Sequence, residues 1–183
     1  MRSEKATGYT ATAKWLHWGI GAIWIVSWCL GMLGAYTRDI FSTDPSLTFV
    51  HKGLASTVLF LVILRVAWRL THPVPALPLS VSSGMRRGAA IGHLFLYLIP
   101  LCLVPLSGWY WSSVAGKPIM LMGFFRLPSL VGPDQSMYDV ALWTHTLSAW
   151  LAGALVGGHI LLALKHHFLD RDAVLSGMLP EKR

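Results

Sequence analysis

The sequence predicts an all-α membrane protein, a bundle of four transmembrane helices, and three observations carry that prediction. Of its 183 residues 54% are hydrophobic and only 13% are charged, whereas a soluble domain is about a quarter charged. The apolar residues gather into four runs, at about 14–36, 50–70, 90–112 and 141–165, each long enough to cross a hydrocarbon core of roughly 30 Å as a helix. The basic residues lie mostly on one side of those runs. Lipid offers the backbone no hydrogen-bond partners, so each run must satisfy its own amides, and that dictates helix. The four runs take up the chain as a single domain, residues 1–183.

The first run, KWLHWGIGAIWIVSWCLGMLGAY, begins with Trp15 and Trp18 and ends with Tyr36, rings that favour the membrane–water interface. It is too long for the apolar part of a cleavable signal and lacks a small-residue cleavage site behind it, so it is expected to stay as a span. The second run, VHKGLASTVLFLVILRVAWRL, closes on Arg65 and Arg69, whose long stems can carry the charges out to the headgroups. The connection THPVPALPLSVSSGMRR, which holds His72, reads as an extended loop. The third run carries Pro100 and Pro105, and each removes an amide donor, which predicts a kinked helix. From about 113 to 140 the chain contains GKPIMLMGFFRLPSL, apolar but too short and interrupted to cross, so it is expected to cap the end of the bundle. The tail after the fourth run, LDRDAVLSGMLPEKR, is expected to open with a short surface helix.

With a cytoplasmic N-terminus, one side of the membrane holds Arg2, Lys5, Lys14, Arg65, Arg69, Arg86, Arg87, Lys165, Arg171, Lys182 and Arg183. The other holds Arg38, Lys52, Lys117 and Arg126. The positive-inside rule therefore predicts that both termini are cytoplasmic. The net charge of +7 is a topological signal and not a footprint for nucleic acid. Cys29 and Cys102 both fall within spans, which argues against a structural disulfide.

Four histidines make a pattern. His145 and His159 lie fourteen residues apart in the fourth run, almost four whole helical turns, so both face nearly the same way about 21 Å apart. His17 opens the first run at the inner side, and His51 opens the second at the outer side. Depth alone pairs His17 with His159 and His51 with His145. Imidazole is a common axial ligand of haem iron, and ionisable groups at membrane depth mark functional sites. The expectation is two haems, one near each surface, each held between two helices. No C-x-x-C-H motif is present, so they are expected to be held without thioether bonds, as b-type haem. Gly19, Gly21, Gly53, Gly153, Gly157 and Gly158 lie near these histidines, either for close helix packing or as room for a flat macrocycle.

Arg65 and Arg69 lie one turn apart near the inner end of the second run, placed either to meet lipid phosphates or to pair with the propionates of the inner haem. His166 and His167 close the fourth run beside Lys165, and His93 opens the third. These residues form either an interfacial polar cluster or a quinone site, where an imidazole bonds a carbonyl and supplies protons. In the second case His166 is the first candidate, with His93, Lys14 and Lys165 as further ones.

The chain resembles the bacterial cytochrome b561 family, small diheme membrane cytochromes that include superoxide oxidases. The similarity rests on WLHW at 15–18, HKG at 51–53, GHLFLYL at 92–98, the His145–His159 spacing and LKHHFLDRDAVLSGMLP at 164–180, and it runs from about residue 8 to 182. It implies a multi-pass protein of the bacterial cytoplasmic membrane with two b-type haems on His17, His51, His145 and His159. It also implies exchange of electrons with ubiquinone at a cytoplasmic site near His166. In superoxide oxidases, superoxide reduces the outer haem and the electrons pass inward to the quinone pool.

Two functions follow from these readings. One is a superoxide:quinone oxidoreductase, with Lys52, Lys117 and Arg126 drawing the anion in against Asp39, Asp44, Asp134 and Asp139. The other is a cytochrome subunit that relays electrons between a partner dehydrogenase or hydrogenase and the quinone pool.

Overall fold

A computed structural model describes residues 8–36, 45–72, 74–75 and 82–179. Arg2, Lys5, Arg38, Asp39, Asp44, Lys182 and Arg183, named above for their charge, lie outside the described residues. Four helical segments are long and apolar enough to cross a membrane. The first is α1, Ala11–Tyr36, and the second is α2, Pro45–Thr71. The third joins α3, Ser83–Leu96, to α4, Val104–Val114, and the fourth is α5, Tyr138–Lys165. Each extends beyond its apolar run, because polar residues at the headgroup level can continue a helix that lipid has nucleated. Capping marks two of the starts. Thr10 Oγ1 accepts from the Ala13 amide, and Ser82 Oγ accepts from the Met85 amide.

The bundle is apolar outside as well as inside, as a lipid solvent requires. Ile63, Leu64, Leu147 and Leu161 are exposed, whereas Ile20, Trp24, Val58, Val62 and Ala152 form a narrow core. Small residues set the helix spacing. A Cβ on Gly153 would stand 2.7 Å from the Trp28 ring, whose Nε1 donates to the Ala149 carbonyl at 2.9 Å. Gly153 is thus a packing residue that lets α1 lie against α5.

The proline pair does more than kink the third span. Between α3 and α4 the backbone winds as a π-helix over Tyr97–Leu103, and the Val104 amide reaches back five residues to the Ile99 carbonyl. In that register the next donor would come from residue 105, where proline has none. The Pro100 carbonyl is served from another helix instead, by Trp24 Nε1 at 3.0 Å.

The connection after α4 does lie over the bundle end, but it includes a small hairpin that the apolar pattern did not announce. Strand β1, Met120–Leu121, pairs antiparallel with β2, Phe125–Arg126. The turn between them needs left-handed backbone at Met122 and Gly123. Several bonds fasten the loop to α4, among them Trp109 Nε1 to the Pro128 carbonyl, the Leu130 amide to Ser113 Oγ, and the Lys117 amide to the Ser112 carbonyl.

The tail departs from the expected surface helix. After α5 the chain makes a π turn over His166–Asp170, passes through left-handed Arg171, and ends in a 3-10 turn at Ser176–Met178. There the Met178 carbonyl accepts from Trp18 Nε1 at 2.9 Å, which pins the tail onto α1.

Candidate functional site

The four histidines gather as two pairs at opposite ends of the bundle. His51 of α2 faces His145 of α5 with ring centres 6.2 Å apart, and His17 of α1 faces His159 of α5 at 6.1 Å. The paired rings are steeply inclined, at 69° and 80°. An iron bound on both faces through imidazole nitrogens holds each nitrogen about 2 Å away and each ring centre about 1.1 Å further out. That places the ring centres roughly 6.3 Å apart. Both pairs match this span.

A second ring nitrogen must be occupied if the first is to be a directed ligand, because the hydrogen bond at one fixes the lone pair at the other. At the His51 end both rings are held in this way. His51 Nδ1 donates to the Ser27 carbonyl at 2.8 Å, and His145 Nδ1 donates to the Val104 carbonyl at 3.1 Å with Ser107 Oγ beside it at 3.2 Å. In each case Nε2 has no hydrogen-bond partner among the described residues. Each ring reaches its carbonyl across a glycine four residues further along the accepting helix. A Cβ on Gly31 would stand 2.8 Å from His51 Cε1, and one on Gly108 would stand 2.9 Å from His145 Cε1. The same device serves both rings. Reading the sequence missed Gly31, Gly108, Ser27 and Val104, because nothing local marks which carbonyl a distant imidazole will find.

A cleft opens beside this pair with about 800 Å³ of unfilled space, counting its open mouth. His51, His145, Lys52, Ser112, Lys117 and Trp111 contribute to its wall. Lys52 Nζ donates to Ser112 Oγ at 2.7 Å, and Lys117 is exposed. Arg126 lies exposed on β2 and does not itself line the cleft, although its neighbour Leu127 does. Asp134 is turned to its own backbone, accepting from the Ser136 amide. Trp111 Nε1 is buried with no hydrogen-bond partner among the described residues, a donor that a carboxylate such as a propionate would satisfy.

At the His17 end a third imidazole joins the pair. His93 of α3 lies 5.5 Å from His159, and its Nδ1 donates to the Ala89 carbonyl at 2.6 Å. Its ring is closer to His159 than two ligands of one iron would be, whereas His17 stands at the right span. Arg65 lies within electrostatic reach of His17 and His159, and its Nε donates to the Tyr97 hydroxyl at 2.9 Å. Tyr97 is the first residue of the π-helical segment, a partner the sequence did not suggest. Arg69, one turn on, is exposed. Gly19, Gly21, Gly157 and Gly158 have nothing within 4 Å of an added Cβ, so open ground adjoins this pair too. Gly53 instead faces the Met120 carbonyl across 3.3 Å. The residues at both ends fit a flat, doubly ligated macrocycle.

His166 belongs to a separate group. Its Nδ1 lies 2.6 Å from Asp172 Oδ2 and 3.3 Å from Asp170 Oδ2, while Lys165 Nζ holds both oxygens of Asp170 at 2.8 and 2.6 Å. Partial burial opposes ionisation of the Asp172 carboxyl, but the Val174 amide and His166 outweigh it and hold that carboxyl below its ordinary range. The sequence grouped His166 with His93, Lys14 and Lys165. The structure sets Lys165 beside it through Asp170, turns His93 toward His159, and buries Lys14 in α1.

A profile of the prokaryotic cytochrome b561 family matches residues 8–181. The chain is 36% identical over 130 residues to "Cytochrome b561 homolog 2" of Escherichia coli (strain K12), covering 71% of this chain and 69% of that protein. It is 25% identical over 175 residues to "Probable superoxide oxidase CybB" of Yersinia pestis, covering 96% of this chain and 97% of that one. A third relative, "Cytochrome b561 homolog 1" of Escherichia coli (strain K12), is 23% identical over 175 residues, with 96% and 98% covered. The protein is therefore a multi-pass b-type cytochrome of the prokaryotic inner membrane, an electron-transfer protein. It belongs to the prokaryotic cytochrome b561 family.

Proposed function

We propose that this cytochrome carries electrons from superoxide, through two haems b, to ubiquinone. The observation that supports this reading most is the presence of two imidazole pairs, each at iron-binding span, at opposite ends of one bundle. Haem b supplies reversible one-electron chemistry when bound. The chain's part is to hold it: His51 with His145 at one end and His17 with His159 at the other, the first pair aimed by the Ser27 and Val104 carbonyls. Arg65, supported by Tyr97, is the propionate partner at the His17 end, with Arg69 further out. By the positive-inside rule the His17 end and both termini face the cytoplasm.

Superoxide is a small anion, and the cleft beside His51 and His145 has Lys52 and Lys117 in its wall. Fixed positive charge at an entrance raises the local concentration of an anion and its rate of association. The name of the Yersinia pestis relative adds support. Ubiquinone is assigned to the opposite end, at His166, with His93, Lys14 and Lys165 as further candidates. Stopped-flow mixing of the oxidised, haem-loaded protein with superoxide tests the donor. Rapid haem reduction is expected, and an unreactive protein would replace this reading with the second one.

The second reading is a relay subunit between a partner dehydrogenase or hydrogenase and the quinone pool. Its support is the hairpin over the His51 end, where Met122, Phe124 and Phe125 stand exposed as an apolar edge.

A further inference from the structure

The His166 group sits just past the last turn of α5, and its order comes from the tail. We propose that Asp172 is a positioning residue for quinone chemistry: its carboxylate takes the Nδ1–H of His166 and so presents Nε2 to a quinone oxygen. This inference rests on the assignment of the quinone to His166.

Three features give Asp172 that role. The left-handed turn at Arg171 reverses the chain, and the Asp172 amide returns to the His166 carbonyl at 3.1 Å. The two carboxylate oxygens then have separate duties: Oδ1 accepts from the Val174 amide at 2.9 Å, and Oδ2 faces His166 Nδ1 at 2.6 Å. Asp170, the other acceptor within reach, stands further off at 3.3 Å and is gripped by Lys165. The turn is held in place from outside by Trp18, the neighbour of His17 in sequence, through its bond to Met178.

An imidazole whose Nδ1–H is bound to a carboxylate keeps one defined tautomer and readily carries a second proton. Reducing a quinone to a quinol takes two electrons, which the cytochrome delivers, and two protons. His166, protonated at both nitrogens, supplies the two protons in turn at Nε2: each time the Nε2–H bond breaks and an O–H bond forms on a quinone oxygen, and Nε2 then takes a fresh proton from solvent at the exposed surface. Asp172 stays ionised throughout and only orients the ring.

The separate duties of its oxygens make Asp172→Asn a sharp test. The Val174 amide requires an oxygen, so the new amide nitrogen must point at His166 Nδ1 and present a donor where an acceptor stood. The ring is then forced into the opposite tautomer with the turn intact. In the full-length, haem-loaded protein, nitrogen-15 histidine spectra, with Asp172→Asn and His166→Leu read against the parent, should report this reversal. Reoxidation of the reduced haems by a short-chain ubiquinone should slow about tenfold or more, with both haem spectra unchanged. A parental tautomer in Asp172→Asn overturns the proposal, as does a reversed tautomer with parental reoxidation. Parental reoxidation in His166→Leu instead removes the quinone assignment itself, and the positioning role goes with it.

Discussion

Two glycines decide whether two imidazoles reach their carbonyls. Alanine at position 31 or 108 would place a methyl group under 3.0 Å from a ring atom of His51 or His145, inside any tolerable contact. Gly31→Ala and Gly108→Ala should each weaken retention of the haem at that end about 10- to 100-fold. Gly34→Ala, which meets nothing within 4 Å, should not. Pyridine-haemochrome assay of the purified variants measures the difference. The proposed ligands have their own test: His51→Ala or His145→Ala should cost one haem per chain, and His17→Ala or His159→Ala a second, spectrally distinct one. The four histidines were legible in the sequence because depth along a membrane helix follows directly from residue number. Gly31 and Gly108 were not, because their meaning lies in which ring arrives from another helix.

Pro100 and Pro105 announced an irregular third span, and the span is irregular. What they could not announce was the choice of a π-helix or the indole that repairs it. Pro105 leaves a carbonyl without a donor in surroundings where water is absent, and Trp24 supplies the missing N–H. Trp24→Phe keeps an aromatic ring in the core but removes the donor together with the five-membered half of the indole. It should lower stability by about 1–3 kcal/mol, seen as a reduced Tm in detergent with both haems still bound. The hairpin over the His51 end was hidden for a different reason. Two strands of two residues leave too little alternation to read, and β1 is placed by α2, with β2 paired to it, rather than by its own propensity.

At the scale of the molecule, basic side chains stand at both ends of the bundle, with Lys52 and Lys117 at the His51 end and Arg65 at the His17 end. If superoxide enters by the cleft, its reaction rate should fall as ionic strength rises, since salt screens attraction beyond about 8–10 Å near physiological strength. Lys52→Gln and Lys117→Gln should slow haem reduction by superoxide and flatten that salt dependence. Arg126→Gln, whose side chain does not line the cleft, should do so less. Stopped-flow rates at several salt concentrations separate them, and three parental profiles would remove the cleft as the route. The sequence named these charges but could not rank them, because the fold alone sets Lys52 on α2, Lys117 just past α4 and Arg126 on β2.

Helix α5 runs without interruption from Tyr138 to Lys165 and carries a histidine of each pair. The two π-helical windings among the described residues fall elsewhere, in a span without a proposed ligand and beyond the last proposed ligand of α5. The fourth helix therefore works as an index, its turns counting out the interval between the two ends. One alanine inserted between Gly153 and Ala154 would rotate all that follows by about 100° and advance it about 1.5 Å. Such a chain should bind one haem in place of two. The third span, already wound out of register around Pro100, should absorb the same insertion at less cost. Length variation among proteins built on this plan should accordingly collect in the helix that bears no ligand.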